Sequence, residues 1–269
     1  PGRRRGGGLC HAERSIMVRG LYTAATGMTV QRNKMEVLTN NLVNAETTGF
    51  KRDSLVTSSF TQVMLQRIND PGVSVFGGGQ VGPYSFGTHI DELITDFAPG
   101  SLEATGKSTD LALEGDGFFV IETEAGERYT RSGNFSVSGN GYLVTGDGNY
   151  VLGENGRIFV GFGDFQVAGD GTVTSASGEA GRLRLVDFED TGVLRKQGNS
   201  LYYAYGGGAP VPAAGVSVRQ GYQESANVNA AGEMVDMIAV YRKYEASQKM
   251  VSITDDSLGL AVSIGKLEG

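Results

Sequence analysis

Three patterns in this chain are of the kind that can carry chemistry. Glu122 with Glu124, and Asp187 with Glu189, are carboxylate pairs two residues apart. On a strand such pairs share a face, and a glycosidase holds its acid and base ~5–9.5 Å apart. Gly115-Asp116-Gly117 looks like a fragment of a phosphate loop, and the Asn-Gly and Asp-Gly pairs at 140–141, 147–148, 155–156 and 170–171 invite a calcium reading. Tyr202, Tyr203 and Tyr205 could form an aromatic platform for a ligand.

Each pattern has a plainer reading. Charged residues alternating along a strand describe a solvated face. A phosphate loop needs a helix N-terminus facing the anion, whereas Gly115-Asp116-Gly117 runs into the strand-like FFVIETE, as a tight turn would. A calcium loop alternates its ligands and closes with a distal Glu, and none of the four dipeptides sits in such a loop. They are hairpin signals, because both turn residues tolerate positive φ. Alternating Tyr is ordinary strand composition. Cys10 is the only cysteine and His11 and His89 the only histidines, so metal clusters and His-dependent triads lack members. The expectation is a non-enzyme with no catalytic residue, cofactor, metal or small-molecule substrate. A net charge of −7 also disfavours nucleic acid, whose phosphates need a basic surface.

The elements that would position these residues are of two kinds. From about residue 100 to 221 the apolar pattern has period two, broken by the four turn dipeptides, which reads as a central all-β domain. At the ends the period is helical. Leu21, Met28, Met35 and Leu42 fall seven apart, with Ala24 and Leu38 between them and Gln31 as the polar exception. From 230 onward, Met237, Tyr241, Tyr244, Gln248, Val251, Leu258 and Val262 follow a similar spacing, and Met234 and Ile238 widen the stripe. A lone amphipathic helix needs a partner for its stripe, and here the nearest partner is the other helix. The fold class is therefore α+β: a discontinuous helical, coiled-coil domain (17–68 plus 222–269), an extended connector (69–99) and the all-β domain (100–221).

Residues 1–16 lack periodicity and precede Met17, so they read as a non-native or disordered leader. No run approaches the ~20 apolar residues of a membrane span, and no apolar core of a cleavable signal is visible.

Residues 38–54, LTNNLVNAETTGFKRDS, are unusual: a helix carrying Asn40, Asn41 and Asn44 that breaks at Gly49 and resumes with Phe50 and a basic pair. This stretch closely resembles the N-terminal signature of bacterial flagellar rod and hook proteins. The resemblance continues through DLALEGDGFFVI (110–121), YTRSGNFSVSGNGYLVTGDGNYVLG (129–153) and QGYQESANVNAAGEMVDMIAVYRKYEASQKM (220–250), in the family's order. It implies a structural subunit of the basal-body rod, polymerising helically into the axial drive-shaft tube between membrane ring and hook. The partners implied are copies of itself, other rod and hook proteins, and the flagellar type III export apparatus, which would export the chain to the basal body without a cleaved signal. The tract LRLVDFEDTGVLRKQGNSLYYA resembles the proximal-rod subunit slightly more than the distal one. The alternative from another class is a secreted β-domain carbohydrate binder or peptidoglycan-acting enzyme.

In that light the subunit interface is expected at Leu21, Met28, Met35, Leu38, Asn40, Asn41, Leu42, Asn44, Gly49, Phe50, Met234, Met237, Ile238, Tyr241, Tyr244, Val251, Leu258 and Val262. The asparagines would bond between helices of neighbouring subunits, Gly49 would reverse the chain and Phe50 would anchor it. The plainer alternative is that Asn44 only ends the helix while the other two face solvent.

Overall fold

A computed structural model of the chain describes residues 9–66, 80–175 and 178–267. Two long helices flank a series of short strands: α1 (Leu9–Val43) and α2 (Ala230–Leu267). The chain folds as two compact units: one of residues 1–40, 54–94 and 231–269, the other of residues 41–53 and 95–230.

The first unit holds both helices. α1 begins at Leu9, so the last eight residues of the expected leader continue the helix rather than lying apart from it; residues 1–8 fall outside the described residues. All seven expected seam positions of α1, from Leu21 to Leu42, are half-buried. On α2 the less exposed positions include Glu233, Met237, Val240, Tyr244, Ser247, Val251, Thr254 and Leu258, which follow a four-three spacing, with Ala230 before them and Ser257 beside Leu258. That seam shares only part of the expected stripe. Met237, Tyr244, Val251 and Leu258 lie on it, whereas Tyr241, Gln248 and Val262 are exposed. The helices approach at Gly27, where a Cβ would stand 3.8 Å from Ser247 Oγ. A small residue at that point admits a close pass.

The segment expected as an extended connector is paired instead. Strand Thr88–Thr95 pairs with Asp53–Ser59, and Gln80–Tyr84 pairs with Val63–Gln66, in antiparallel register Val63 to Tyr84; residues 67–79 lie outside the described residues. These strands reach α1: Thr23 Oγ1 stands 3.5 Å from the Tyr84 hydroxyl. Gly87, at φ +141, leaves no room for a Cβ against Thr26.

The second unit is the all-β body. The four expected turns all join neighbouring antiparallel strands: Phe135–Val137 to Leu143–Thr145, Leu143–Thr145 to Tyr150–Gly153, Tyr150–Gly153 to Gly156–Arg157, and Phe165–Val167 to Thr172–Ser175. The glycine of each turn has positive φ, as its dipeptide demands. The middle strand, Phe118–Thr123, departs from alternation. It pairs with Gly126–Thr130, Tyr150–Gly153 and Leu185–Asp187 and is covered on both faces. Phe119 and Ile121 enter one apolar core with Leu111, Leu143 and Val151, while Phe118 and Val120 enter a second with Phe188 and Tyr202. Continuous FFVI is what a two-sided strand requires.

Candidate functional site: a buried charge clasp

The densest polar constellation is in the β unit, and it is assembled from the two segments that flank the helices. α1 ends at Val43, and the following turns close through Ala45 N to Leu42 O and Thr47 N to Asn44 O. Thr47 Oγ1 donates to Asn44 Oδ1 at 3.3 Å, so Asn44 takes part in ending the helix. Asn41 is fully buried and exchanges two bonds with the Asp53 backbone: its Nδ2 donates to Asp53 O at 2.8 Å and its Oδ1 accepts from Asp53 N at 3.0 Å. An amide side chain can do both at once.

Gly49 has φ +66, and its N–H donates to Glu224 O at 2.7 Å. A Cβ there would lie 2.6 Å from Ser132 Cα, so both conformation and space require glycine. Phe50 is buried, with Lys196 Nζ 4.1 Å from its ring centroid.

Lys51 reaches the centre. Its Nζ donates to Glu224 Oε1 and to Ala98 O, each at 2.7 Å. The other carboxylate oxygen, Oε2, accepts from Arg131 Nε at 2.7 Å, and Gly100 N donates to Oε1 at 2.9 Å. The rest of the Arg131 guanidinium donates to the carbonyls of Gly115 and Gly117, which gives the Gly-Asp-Gly turn a structural task. Lys51, Arg131 and Glu224 are all buried. Nearby, Lys196 pairs with Asp53 at 2.9 Å and donates to Lys51 O at 2.5 Å. Asn227 completes the junction: Oδ1 accepts from Arg52 N at 2.7 Å and Nδ2 donates to Asp96 O at 2.8 Å.

Burial opposes ionisation of Glu224, but Arg131 and Lys51, with the hydrogen bonds of Lys51 and Gly100, outweigh it and hold the carboxyl below its ordinary value. For Lys51 burial is the larger influence, and the ammonium is pulled below its usual range despite the Glu224 charge beside it. Burial also raises the Tyr202 phenol, helped by the Asp53 and Glu224 charges, so it is neutral at any ordinary pH. A carboxylate saturated with donors and two cations held by carbonyls leave no atom poised for a substrate. This is an arrangement that fixes chain segments together.

Three family profiles match the chain: "Flagella basal body rod protein" over residues 21–51, "Flagellar hook protein FlgE/F/G D1 domain" over 112–175 and "Flagellar basal body rod FlgEFG protein C-terminal" over 219–264. The chain is 32% identical to flagellar hook-basal body complex protein FlhO of Bacillus subtilis, across 93% of this chain and 100% of the relative. It is 33% identical to flagellar basal-body rod protein FlgG of Borreliella burgdorferi, across 91% and 98%. The chain belongs to the flagellar basal-body rod protein family. A third relative, FlgF of Caulobacter vibrioides, is 31% identical across 93% of this chain and all of its own length.

The clasp assigns a physical task to the family signatures in this chain. TTGFKR (47–52) supplies Gly49, Phe50 and Lys51, and QESAN (223–227) supplies Glu224 and Asn227. Of the expected interface residues, Asn41, Gly49 and Phe50 are therefore occupied inside the subunit, and Asn44 bonds locally. Asn40, Met234, Ile238, Tyr241 and Val262 are exposed, and the remaining expected positions are half-buried along the helices. Lys51, Arg131, Glu224, Asn227 and Lys196 were not singled out from sequence. The one available signal was an acidic residue in QESAN with no charged neighbour in the adjacent sequence, which only the fold brings to its cations.

Proposed function

We propose that this chain is a structural subunit of the bacterial flagellar basal-body rod, assembling with copies of itself and with other rod and hook proteins at the basal body. The observation that carries the reading is the outer face of α2. Ile238 is 56% and Leu260 65% exposed, and Met234, Tyr241, Met250 and Ile253 are exposed beside them. Ile238, Ile253 and Leu260 lie across the helix from its inward seam and Met234, Tyr241 and Met250 on its flanks, and exposed apolar side chains along one helix suit a helix covered by neighbours. The β unit, by contrast, has completed cores and a saturated polar junction, as a block carried on the outside of a tube requires.

The finer points belong to the same proposal. Pairing of α1 with α2 along their seams would give the tube's inner layer its coiled-coil character, and export through the flagellar type III apparatus would need neither disulfide nor cleaved signal. The alternative of a carbohydrate binder or peptidoglycan enzyme has no support from the relatives, which are flagellar rod and hook-basal body proteins. The test is to isolate basal bodies from the native host and label this chain. The expected result is label confined to the rod; its absence from basal bodies would refute the reading.

A further inference from the structure

The β unit is closed by pairing its first strands with its last. Strand Leu111–Glu114 runs antiparallel to Ser217–Gln220, and Leu102–Ala104 to Tyr222–Glu224. Among the described residues these form two separate two-stranded sheets, so neither entry strand has a second ladder. The described strands from Phe118 to Pro212 pair among themselves. Strands that leave the ribosome early therefore find their ladders only in strands that leave it late.

The last strands bring more than their ladders. Val218 is buried in the same apolar core as Leu111, Leu113 and Phe119. The Gln220 amide joins three chain segments: Nε2 donates to Ser108 O at 2.7 Å and to Phe165 O at 3.0 Å, and Oε1 accepts from Val167 N at 3.0 Å. Gly221 N donates to Asp110 O at 2.8 Å, and Ser225 N to Ser101 O at 2.9 Å. Glu224 then supplies the carboxylate between Lys51 and Arg131.

Until Ser217–Asn227 is present, Lys51 and Arg131 lack the carboxylate they share, and the core lies open along Leu111 and Leu113. A buried charge without its partner opposes the compact state strongly. The spans are also long: Lys51 and Glu224 are 173 positions apart, and Ser108 and Gln220 are 112. Closing such loops costs chain entropy before any contact rewards it. We infer that residues 217–227 are a closing latch: the β unit reaches its folded state only when this segment docks, in one step with the strands between. A chain emerging N-terminus first keeps the unit open until Asn227 is free. The latch does not depend on the rod reading, since it concerns the folding of a single chain.

The test is refolding of the unaltered full-length chain from denaturant, with amide hydrogens pulse-labelled at increasing times. Leu143, Ile158 and Leu183 donate within the central strands, and Gly49, Gly221 and Ser225 donate across the latch. Both sets are expected to gain protection in one phase with the same time constant. Central amides protected in an earlier phase would overturn the latch, because the unit would then be finished without its last strands. Gln220→Ala removes the three-way amide without touching a charge. In the folded full-length variant, exchange is expected to quicken about ten-fold, by the same factor in both sets. Faster exchange confined to Gly49, Gly221 and Ser225 would overturn the latch as well, and reduce the segment to a local clip.

Discussion

The helices and the β unit of this chain treat their side chains in opposite ways. In the β unit even charges are buried, and Lys51, Arg131 and Glu224 have saturated one another and the surrounding backbone. On α2, apolar residues as large as Met, Ile, Leu and Tyr face outward, and only a narrow four-three seam is shielded. A buried polar group is tolerated only when paired, so the clasp belongs to a part that is finished when the chain folds. An apolar helix face left in water gains by being covered, so the helices belong to a part that is finished by other molecules. The contrast separates what the chain stabilises by itself from what it reserves for assembly.

The sharpest way to break the contrast is to unpair the clasp. Glu224→Ala leaves two buried cations facing each other and is expected to cost ~3–5 kcal/mol of β-unit stability, read by denaturant unfolding. Replacing all three together (Lys51→Met, Arg131→Met, Glu224→Leu) is expected to cost far less, because the loss arises from leaving charge unpaired rather than from removing it. A triple variant as unstable as the single would show that the site acts through shape alone.

Acid should open the same junction. The Glu224 carboxyl is held below its ordinary value of 4.5 in the folded chain. Its contribution to stability is therefore whole above pH 4.5 and is lost as pH falls through the lower folded value. A stability profile flat down to well below that window would contradict the pairing, and the triple variant should lack this acid-labile step.

Smaller effects follow at the entry to the junction. Gly49→Ala meets both a left-handed backbone, at φ +66, and the Ser132 backbone, and should cost ~1–3 kcal/mol. Asn41→Ala removes a two-way bond to Asp53 and should cost ~1–3 kcal/mol. Smallest of all in a melt is Ile238→Asp: the position is exposed, and surface changes usually fall within ~0.5 kcal/mol. The same variant should abolish rod assembly, scored by motility and basal-body counts in the native host. Normal rods would remove α2's outer face from the assembly surface.

The parts legible in the sequence were those that repeat locally. Each Asn-Gly or Asp-Gly turn announces its hairpin within four residues, whereas the seven-residue spacing from Leu21 to Leu42 falls on half-buried positions without isolating a seam, since Val30, the most buried apolar residue of α1, lies outside it. What escaped depends on separations that no local pattern encodes. Lys51 and Glu224 are 173 positions apart, so neither the clasp nor the internal use of Gly49 and Phe50 can be read from neighbours. The α2 seam was displaced because Ser247 and Thr254 occupy inward positions while Tyr241 and Val262 point out; a helix apolar on several sides has no unique stripe to read. The strands at 80–84 and 88–95 were missed because QVGPY contains Gly and Pro and THIDELIT carries little apolar alternation.

The central claim is that the β unit is complete in the lone molecule and the helices are not. Hydrogen exchange on the purified, unassembled chain tests it most directly. The account predicts slow exchange across residues 110–190 and at the clasp amides of Gly49 and Gly100, with exchange through Ala230–Leu267 faster by orders of magnitude. Equal protection of α2 and residues 110–190 in the monomer would contradict it, since the helices would then need no neighbour to be stable.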